Sequence, residues 1–160
     1  MSPIPKPVSG ARRLAWLLAS AVAPLLAAPA AQAQTPLSFY AVAPCRLFDT
    51  RSSPPKIPAN TSRAFPVRGV CGVPASAQAV AVNVTVVACT DFGNLRVYPA
   101  GIAAPLASWL NFTGGGEALA NGGIVRLGES AGSHLTLEVN MPVGSSGQCH
   151  ALADVSGFFQ

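Results

Sequence analysis

The feature of this sequence that most restricts its fold is a run of nine residues, Ala79–Val87, which reads AVAVNVTVV. Valines occupy every second position from Val80 to Val86, with Asn83 and Thr85 between them. Because side chains of a β-strand point alternately to opposite faces of a sheet, this run predicts an antiparallel strand with one apolar and one partly polar face. Beyond the N-terminal region, no apolar set recurs at the spacing of an amphipathic helix.

Further short runs with strand character are separated by residues that form turns. Glycine, proline, serine, asparagine and aspartate cluster between them, as in SSPP (52–55), DFGN (91–94) and GGG (114–116). Many short strands of this kind are typical of a β-sandwich or barrel. We therefore predict one all-β domain, an antiparallel, jelly-roll-like β-sandwich stapled by disulfides. The predicted strands are residues 37–42, 63–68, 79–87, 95–98, 108–112, 123–127, 134–139 and 152–158.

The first 33 residues have the layout of a secretory signal peptide. A basic start, which includes Arg12 and Arg13, precedes an apolar, alanine-rich run that ends at the small-x-small sequence AQA, residues 31–33. Prolines interrupt this run, whereas an uncleaved membrane span would need about 20 strongly apolar residues. We predict that residues 1–33 are removed and that residues 34–160 are secreted to the extracellular space or the periplasm, with no membrane association after cleavage.

The predicted mature chain is almost neutral. Residues 34–160 contain seven Lys and Arg residues and six Asp and Glu residues, so removal of the leader lowers the formal net charge from +4 to +1. No basic patch remains that would attract a polyanion, so nucleic acid is not an expected partner. A surface with few charges has little electrostatic protection against self-association. Low charge therefore suggests one possible function, self-assembly into an extracellular layer or filament, which we keep as the alternative to the binding function described below.

Four cysteines, Cys45, Cys71, Cys89 and Cys149, follow the predicted leader. An even number of cysteines in an exported chain indicates two disulfides, for which three pairings are possible. The close C-x2-C pairs of zinc sites are missing, so no metal is expected. We predict the pairs Cys45–Cys71 and Cys89–Cys149, of which the first would tie the segment around Cys45 to the segment that leads into the 79–87 strand.

Six motifs, in order along the chain, resemble a known family. They are PCRLFDTR (44–51), GVCGVPASAQAVAVNVTVV (69–87), GNLRVYPAG (93–101), SWLNFTGGG (108–116), ANGGIVRLG (120–128) and ADVSGFF (153–159). Together they are similar to the PxRLxDTR module of secreted and cell-surface bacterial proteins, and the similarity covers nearly the whole predicted mature chain. The resemblance implies an extracellular, non-catalytic, β-rich module, and it implies no particular ligand.

Residues suited to catalysis are sparse. His134 and His150 are the only histidines, and His150 lies four residues before Asp154. On a strand that separation is about 13 Å, and no neighbouring serine lies in a G-x-S-x-G motif. The six acids show no favoured pair for glycoside hydrolysis, and no metal ligands cluster. We therefore predict a protein that is not an enzyme and has no cofactor; a small secreted hydrolase is the third function considered.

Two predicted strands offer side chains for binding. Residues 108–112 have one apolar face, which leaves Trp109 and Asn111 on the other, and the same alternation directs Arg96 and Tyr98 outward. An outward aromatic ring beside an amide or guanidinium commonly stacks on a sugar ring or a partner's side chain. We predict these four residues as ligand-binding and, as the main function, adhesion or binding of a glycan or cell-wall polymer. The alternative is that the rings of Trp109 and Tyr98 cover the second face of the sheet or a loop.

The octapeptide PCRLFDTR (44–51) concentrates charge in Arg46, Asp49 and Arg51. On a regular strand Asp49 and Arg51 would share one face, with Arg46 on the other. Asp49 precedes a chain reversal, where its carboxylate can accept backbone N–H groups two or three residues on, and either arginine could pair with it. Because the motif has no base, metal set or second carboxylate, we interpret it as a structural fastening, with Leu47 or Phe48 anchored in the core.

Overall fold

The computed structural model describes residues 35–52 and 55–160, and every regular element in these ranges is a β-strand. The prediction of an all-β fold is therefore confirmed, while the predicted signal peptide lies outside the described residues. The strands are β1 (Phe39–Asp49), β2 (Ile57–Pro58), β3 (Thr61–Phe65), β4 (Ala79–Val87), β5 (Gly93–Pro99), β6 (Leu110–Phe112), β7 (Leu119–Arg126), β8 (Leu135–Asn140) and β9 (Gln148–Phe159).

The strands form two antiparallel sheets with a nested pairing. The first sheet has the order β1-β9-β4-β7, with the short β2 paired to β9, and the second has the order β3-β8-β5-β6. The pairs β1–β9, β3–β8, β4–β7 and β5–β6 are nested inside one another along the chain. The chain thus folds back on itself like one long hairpin whose strands are distributed between the two sheets.

One hydrophobic cluster takes its members from both sheets. The alternate valines of β4, from Val80 to Val86, are at most 3% exposed, and Leu95 of β5 and Leu135 and Leu137 of β8 are fully buried. Each such side chain contributes about 1.5–3 kcal/mol through its removal from water. Because the two sheets share this cluster, the fold is sandwich-like, and the residues between the buried ones lie on two outer faces.

Both predicted disulfides are present. Cys45 in β1 is bonded to Cys71, with Cα atoms 5.8 Å apart, and Cys89 after β4 is bonded to Cys149 in β9, with Cα atoms 4.2 Å apart. The second bridge lies in the core, whereas the first is half-buried. Two disulfides indicate an oxidising environment such as the extracellular space or the periplasm. Within the described ranges, the structure has no helix long and apolar enough to cross a membrane.

Strand β1 is irregular within the PCRLFDTR motif. A bulge between Arg46 and Phe48 adds one residue to β1 opposite β9. As a result Arg46 and Asp49 lie on the same outer side of the first sheet, where they form an ion pair. The expectation that they lie on opposite faces is wrong, because alternation in the sequence does not reveal a bulge. Phe48 anchors the strand by stacking on Phe65 of β3, with ring centroids 3.7 Å apart.

Candidate functional site

Three asparagines lie side by side across the outer face of the second sheet. The strand registers place Asn94 of β5 opposite Asn111 of β6 and opposite Asn140 of β8. The next residues inward along these strands, such as Leu95 and Leu110, are buried, so strand alternation directs the asparagines outward. Asn94 Nδ2 donates to Asn140 Oδ1 at 3.3 Å, and Asn111 is exposed. We call these three residues the amide row.

An exposed aromatic ring lies beside the amide row. Phe92, two residues before Asn94, is 59% exposed. It lines an open cleft of about 350 Å³ together with Asn94, Asn140, Met141 and Pro142. Met141 is buried and adds apolar surface to the lining. The cleft, which we call the Phe92 cleft, therefore combines an apolar ring with amide groups that both donate and accept hydrogen bonds.

Asp91 fixes the loop that carries Phe92. Its Oδ1 accepts the Phe92 N–H at 2.8 Å, and its Oδ2 accepts the Ser145 hydroxyl at 2.7 Å. Gly114, with φ +85°, lies so close that a Cβ there would overlap the backbone of Asp91. Three loops that are distant in sequence thus pack together around Asp91. A loop whose backbone is held in this way loses little conformational freedom when a ligand binds.

Two of the predicted ligand-binding residues are tied to one acid beside the amide row. Arg96 Nη1 donates to Glu138 Oε1 at 3.1 Å, and the Tyr98 hydroxyl donates to Glu138 Oε2 at 3.2 Å. Tyr98 is 6% exposed, and this burial, followed by the negative charge of Glu138, raises its pKa. Both residues lie on the outer side of β5, as predicted. The expectation that Tyr98 offers an exposed ring is wrong, because its hydroxyl is held by the neighbouring strand.

Two polar atoms in this region, Asn94 Oδ1 and Arg96 Nε, are buried without a hydrogen-bond partner among the described residues. One is an acceptor and the other a donor, and they belong to outward residues two positions apart on β5. Nearly all buried polar groups in native structures are paired, and an unpaired one costs about 1–3 kcal/mol.

Trp109 lies apart from the amide row and joins the two sheets. Its indole Nε1 donates to the carbonyl of Asn121 in β7 at 3.0 Å, and Asn121 Nδ2 donates to the Trp109 carbonyl at 2.6 Å. The ring packs against the hydrophobic cluster and lies on Gly123, where a Cβ would come within 2.6 Å of it. The expectation that Trp109 faces outward with Asn111 is wrong, because Trp109 precedes β6 and does not follow its alternation.

The charges of PCRLFDTR form one network on the first sheet. Arg46 pairs with Asp154 and, at 2.8 Å, with Asp49, and Arg51 pairs with Asp49 at 2.6 Å. The backbone N–H of Arg51 donates to Asp49 Oδ1 at 2.9 Å, which is the contact that the sequence predicts. Hydrogen bonds from Arg51, followed by the charges of both arginines, hold the pKa of Asp49 far below its ordinary value. Two positive and two negative charges thus balance within the network.

The two histidines have separate partners. His150 Nδ1 lies 3.1 Å from the Thr50 hydroxyl, whereas the Asp154 carboxylate belongs to the arginine network. His134 is 8% exposed, and its Nε2 lies 3.3 Å from Glu129. The structure therefore does not join His150 and Asp154 into a catalytic pair. In residues 35–52 and 55–160, no three His, Cys, Asp or Glu residues lie close enough together to hold a metal ion.

Three residues of the candidate site were not singled out from the sequence: Phe92, Asn94 and Asn140. The DFGN segment (91–94) has the composition of a turn, so its aromatic residue carried no local signal for binding. Asn140 lies just beyond the predicted 134–139 strand. Of the four predicted residues, Asn111 lies in the amide row, Arg96 and Tyr98 border it, and Trp109 lies elsewhere.

Comparison with known proteins adds no family to this description. No protein-family model matches the sequence, and a search of curated proteins finds no match. The similarity to the PxRLxDTR module therefore rests on the six motifs.

Proposed function

We propose that the protein is an exported, non-catalytic surface module that binds a glycan or cell-wall polymer at the amide row and the Phe92 cleft. The observation that carries the proposal is the 59% exposed Phe92 ring, held beside three cross-strand amides. Sugar rings have apolar C–H faces that stack on aromatic rings, and their hydroxyls pair with amides.

Two further features support a ligand of this kind. The Asp91 contacts hold the backbone of the loop that carries Phe92 before binding, which lowers the entropic cost of association. The cleft is open and lies at the end of the sheet, so a long polymer can pass across it without threading into an enclosed pocket.

The proposal is tested by binding to a glycan array and to insoluble cell-wall fractions, with Phe92→Ala as the main variant. We expect Phe92→Ala to weaken binding about tenfold, which corresponds to about 1.4 kcal/mol, while Phe92→Tyr keeps most of the affinity. Leu106→Ala is the matched control, because Leu106 is 93% exposed and lies beyond the opposite end of β5. Wild-type protein that retains no glycan or wall fraction, or unchanged binding by Phe92→Ala, contradicts the proposal.

Self-assembly into an extracellular layer or filament is the second candidate function. It is favoured by exposed apolar side chains on the first sheet, where Ile124 of β7 is 63% exposed and Phe39 of β1 is 51% exposed. Sedimentation or size-exclusion chromatography over a concentration series tests it, and Ile124→Lys is expected to lower the apparent mass of any assembly. A strictly monomeric mature protein at high concentration rejects this function.

The non-catalytic part of the proposal has its own test. The support for it is that the Asp154 carboxylate pairs with Arg46 and that His150 pairs with Thr50. A panel of glycosidase and esterase substrates should show no turnover above buffer. Hydrolysis that disappears in His150→Ala would overturn the proposal in favour of a small secreted hydrolase.

A further inference from the structure

The two edges of the first sheet differ in how they are protected from pairing with another chain. At one edge, β1 has two irregularities in its register with β9, contains Pro44 and is bonded to Cys71 through Cys45. At the other edge, the eight residues of β7 pair with β4 without a shift in register. They include no proline and a single charged residue, the last one. Bulges, prolines and charges are the usual protection of an edge strand, so the edge of β7 is open to a further strand.

The backbone of β7 has polar groups that point to this open edge. Leu127 N–H donates to the carbonyl of Gln78 at 2.8 Å, and this pair continues the β4–β7 register. Bonded and non-bonded pairs alternate along an antiparallel ladder. Gly123 is therefore bonded to β4, whereas the N–H and C=O groups of Gly122 and Ile124 point away from it. Within residues 35–52 and 55–160, no strand pairs with this side of β7.

The side chains beside the open edge are complementary to those of a second β7. Ile124 is 63% exposed on the outer face of the sheet. Gly122, two residues earlier on the same face, leaves a hollow, since a Cβ there would meet no atom closer than 3.9 Å. The hollow belongs to an open groove of about 400 Å³. If two β7 strands pair antiparallel with Gly122 opposite Ile124, each isoleucine fills the hollow of the other strand.

We propose that two copies of this chain form a dimer by antiparallel pairing of their β7 strands about a two-fold axis, with Gly122 of each copy opposite Ile124 of the other. Such a contact uses the same surface on both copies, so it closes with two copies and does not extend into a filament. Because the predicted mature chain is almost neutral, repulsion between the copies is weak. The dimer does not depend on the proposed glycan function, and it gives each particle two Phe92 clefts.

Two measurements on the mature protein test the proposal. Sedimentation velocity over a concentration series should follow an equilibrium between monomer and dimer, with no larger species. Amide hydrogen exchange, measured by nuclear magnetic resonance at low and at high concentration, should locate the contact. We expect the N–H groups of Gly122 and Ile124 to be protected only at high concentration, and that of Gly123, which is bonded to β4, to be protected at both.

Three variants separate pairing of the β7 edge from general apolar contact. Ile124→Pro removes an N–H that β4 does not use, so the variant should fold and stay monomeric. Ile124→Ala leaves the hollow of Gly122 unfilled and should raise the dimer dissociation constant about tenfold. Ile102→Ala is the matched control, because Ile102 is 57% exposed in the loop after β5, and it should leave the constant unchanged. Circular dichroism checks the fold of each variant, and Ile124→Ala decides if Ile124→Pro does not fold.

The outcomes distinguish the dimer from other uses of the same surface. A protein that is monomeric at every concentration overturns the proposal and leaves the β7 edge to a strand of another protein. Assemblies that grow beyond two copies also overturn it, as does equal weakening by Ile124→Ala and Ile102→Ala. A dimer whose Gly122 and Ile124 N–H groups exchange freely contradicts it in favour of packing between sheet faces. A dimer with the expected exchange pattern that binds no glycan supports the proposal and contradicts only the proposed function.

Discussion

The outer faces of the two sheets obey the same alternation but use their polar residues differently. On the first sheet, Arg46, Asp49 and Arg51 gather near the β1 edge and, with Asp154, neutralise one another. On the second sheet, the polar residues run across neighbouring strands, and Asn111 at one end of the amide row stays exposed. The charges of the first sheet satisfy one another, whereas the exposed Asn111 can hydrogen-bond to a ligand, and for this reason we place the proposed binding site on the second sheet.

The fastening role of the first sheet's cluster follows from what surrounds it. Within a few residues, β1 carries the disulfide to Cys71, the ring of Phe48 that stacks on Phe65, and the carboxylate of Asp49. These contacts reach a loop, the second sheet and the next turn of the chain. Near Phe92 the second disulfide, Cys89–Cys149, also ties the chain, but the Phe92 ring itself is 59% exposed. Changes to that ring should therefore affect binding before stability.

The largest effect should come from removing the disulfide at the fastening. Cys45→Ala with Cys71→Ala opens a loop between cysteines 26 residues apart. We expect a loss of about 3.5 kcal/mol in the free energy of unfolding, since the bridge restricts the unfolded chain. Urea denaturation followed by circular dichroism measures this. The glycan affinity of the folded variant should stay unchanged. A loss of affinity without a loss of stability would contradict the structural role of the first sheet's cluster.

The next effect concerns Trp109, which we assign to the junction of the sheets and not to the ligand. Gly123→Ala places a Cβ within 2.6 Å of the Trp109 ring, so we expect a loss of about 1–3 kcal/mol from overpacking. Gly122→Ala is the matched control, because its Cβ would meet nothing closer than 3.9 Å, and its stability should change by less than about 1 kcal/mol. Thermal unfolding distinguishes the two; equal melting temperatures would contradict the assignment of Trp109.

The strand bounds show which parts of the fold can be predicted from the local sequence pattern. Strand β4 has the predicted bounds, because its alternating valines fill one face of a half-buried strand. Strand β7 begins at Leu119, four residues before the predicted start, since Ala120, Asn121 and Gly122 have little strand preference and pair with β4 all the same. The two-residue β2 was not predicted, because so short a strand exists only through its pairing with β9.

The candidate site was harder to predict than the strands, because its geometry depends on contacts between residues that are distant in the sequence. Asn111 was predicted from the alternation around it, and its exposure follows from that local pattern. The proposed role of Phe92 was not predicted, because its position is set by Asp91 contacts to Gly114 and Ser145, which lie in two other loops. The pattern of DFGN (91–94) contains no information about those distant loops. The sequence could therefore predict that Asn111 faces outward, but not that the Phe92 ring lies beside it.

A smaller effect is expected at Asp49. Asp49→Asn removes the charge that pairs with Arg46 and Arg51 but keeps an acceptor for the Arg51 N–H. We expect a loss of about 2 kcal/mol in unfolding free energy at neutral pH, because hydrogen bonds to a charged group are replaced by neutral ones. Chemical denaturation measures the loss. Weakened glycan binding with an unchanged melting temperature would make the motif a ligand clamp.

The same residue predicts a pH dependence. The pKa of Asp49 is lowered from its ordinary 3.8 in the folded state, so its ionised form stabilises the fold at any pH above that value. As pH falls below 3.8, the unfolded chain takes up a proton that folded Asp49 resists, and this stabilisation is lost. The difference in unfolding free energy between wild type and Asp49→Asn should therefore be constant near neutrality and shrink in acid. A difference that grows in acid would contradict the assignment.

The smallest effect is expected at Asn111, the residue of the amide row that contributes least to the stability of the fold. Asn111 is exposed, so Asn111→Ala should leave the melting temperature unchanged and weaken glycan binding about threefold, the value of one neutral hydrogen bond. Asn83→Ala is the matched control, because Asn83 is an exposed asparagine on the outer face of the first sheet. Titration of both variants with the best-binding glycan compares the two faces directly. If Asn111→Ala and Asn83→Ala lose affinity equally, or if neither variant loses affinity, the binding site is not at the amide row.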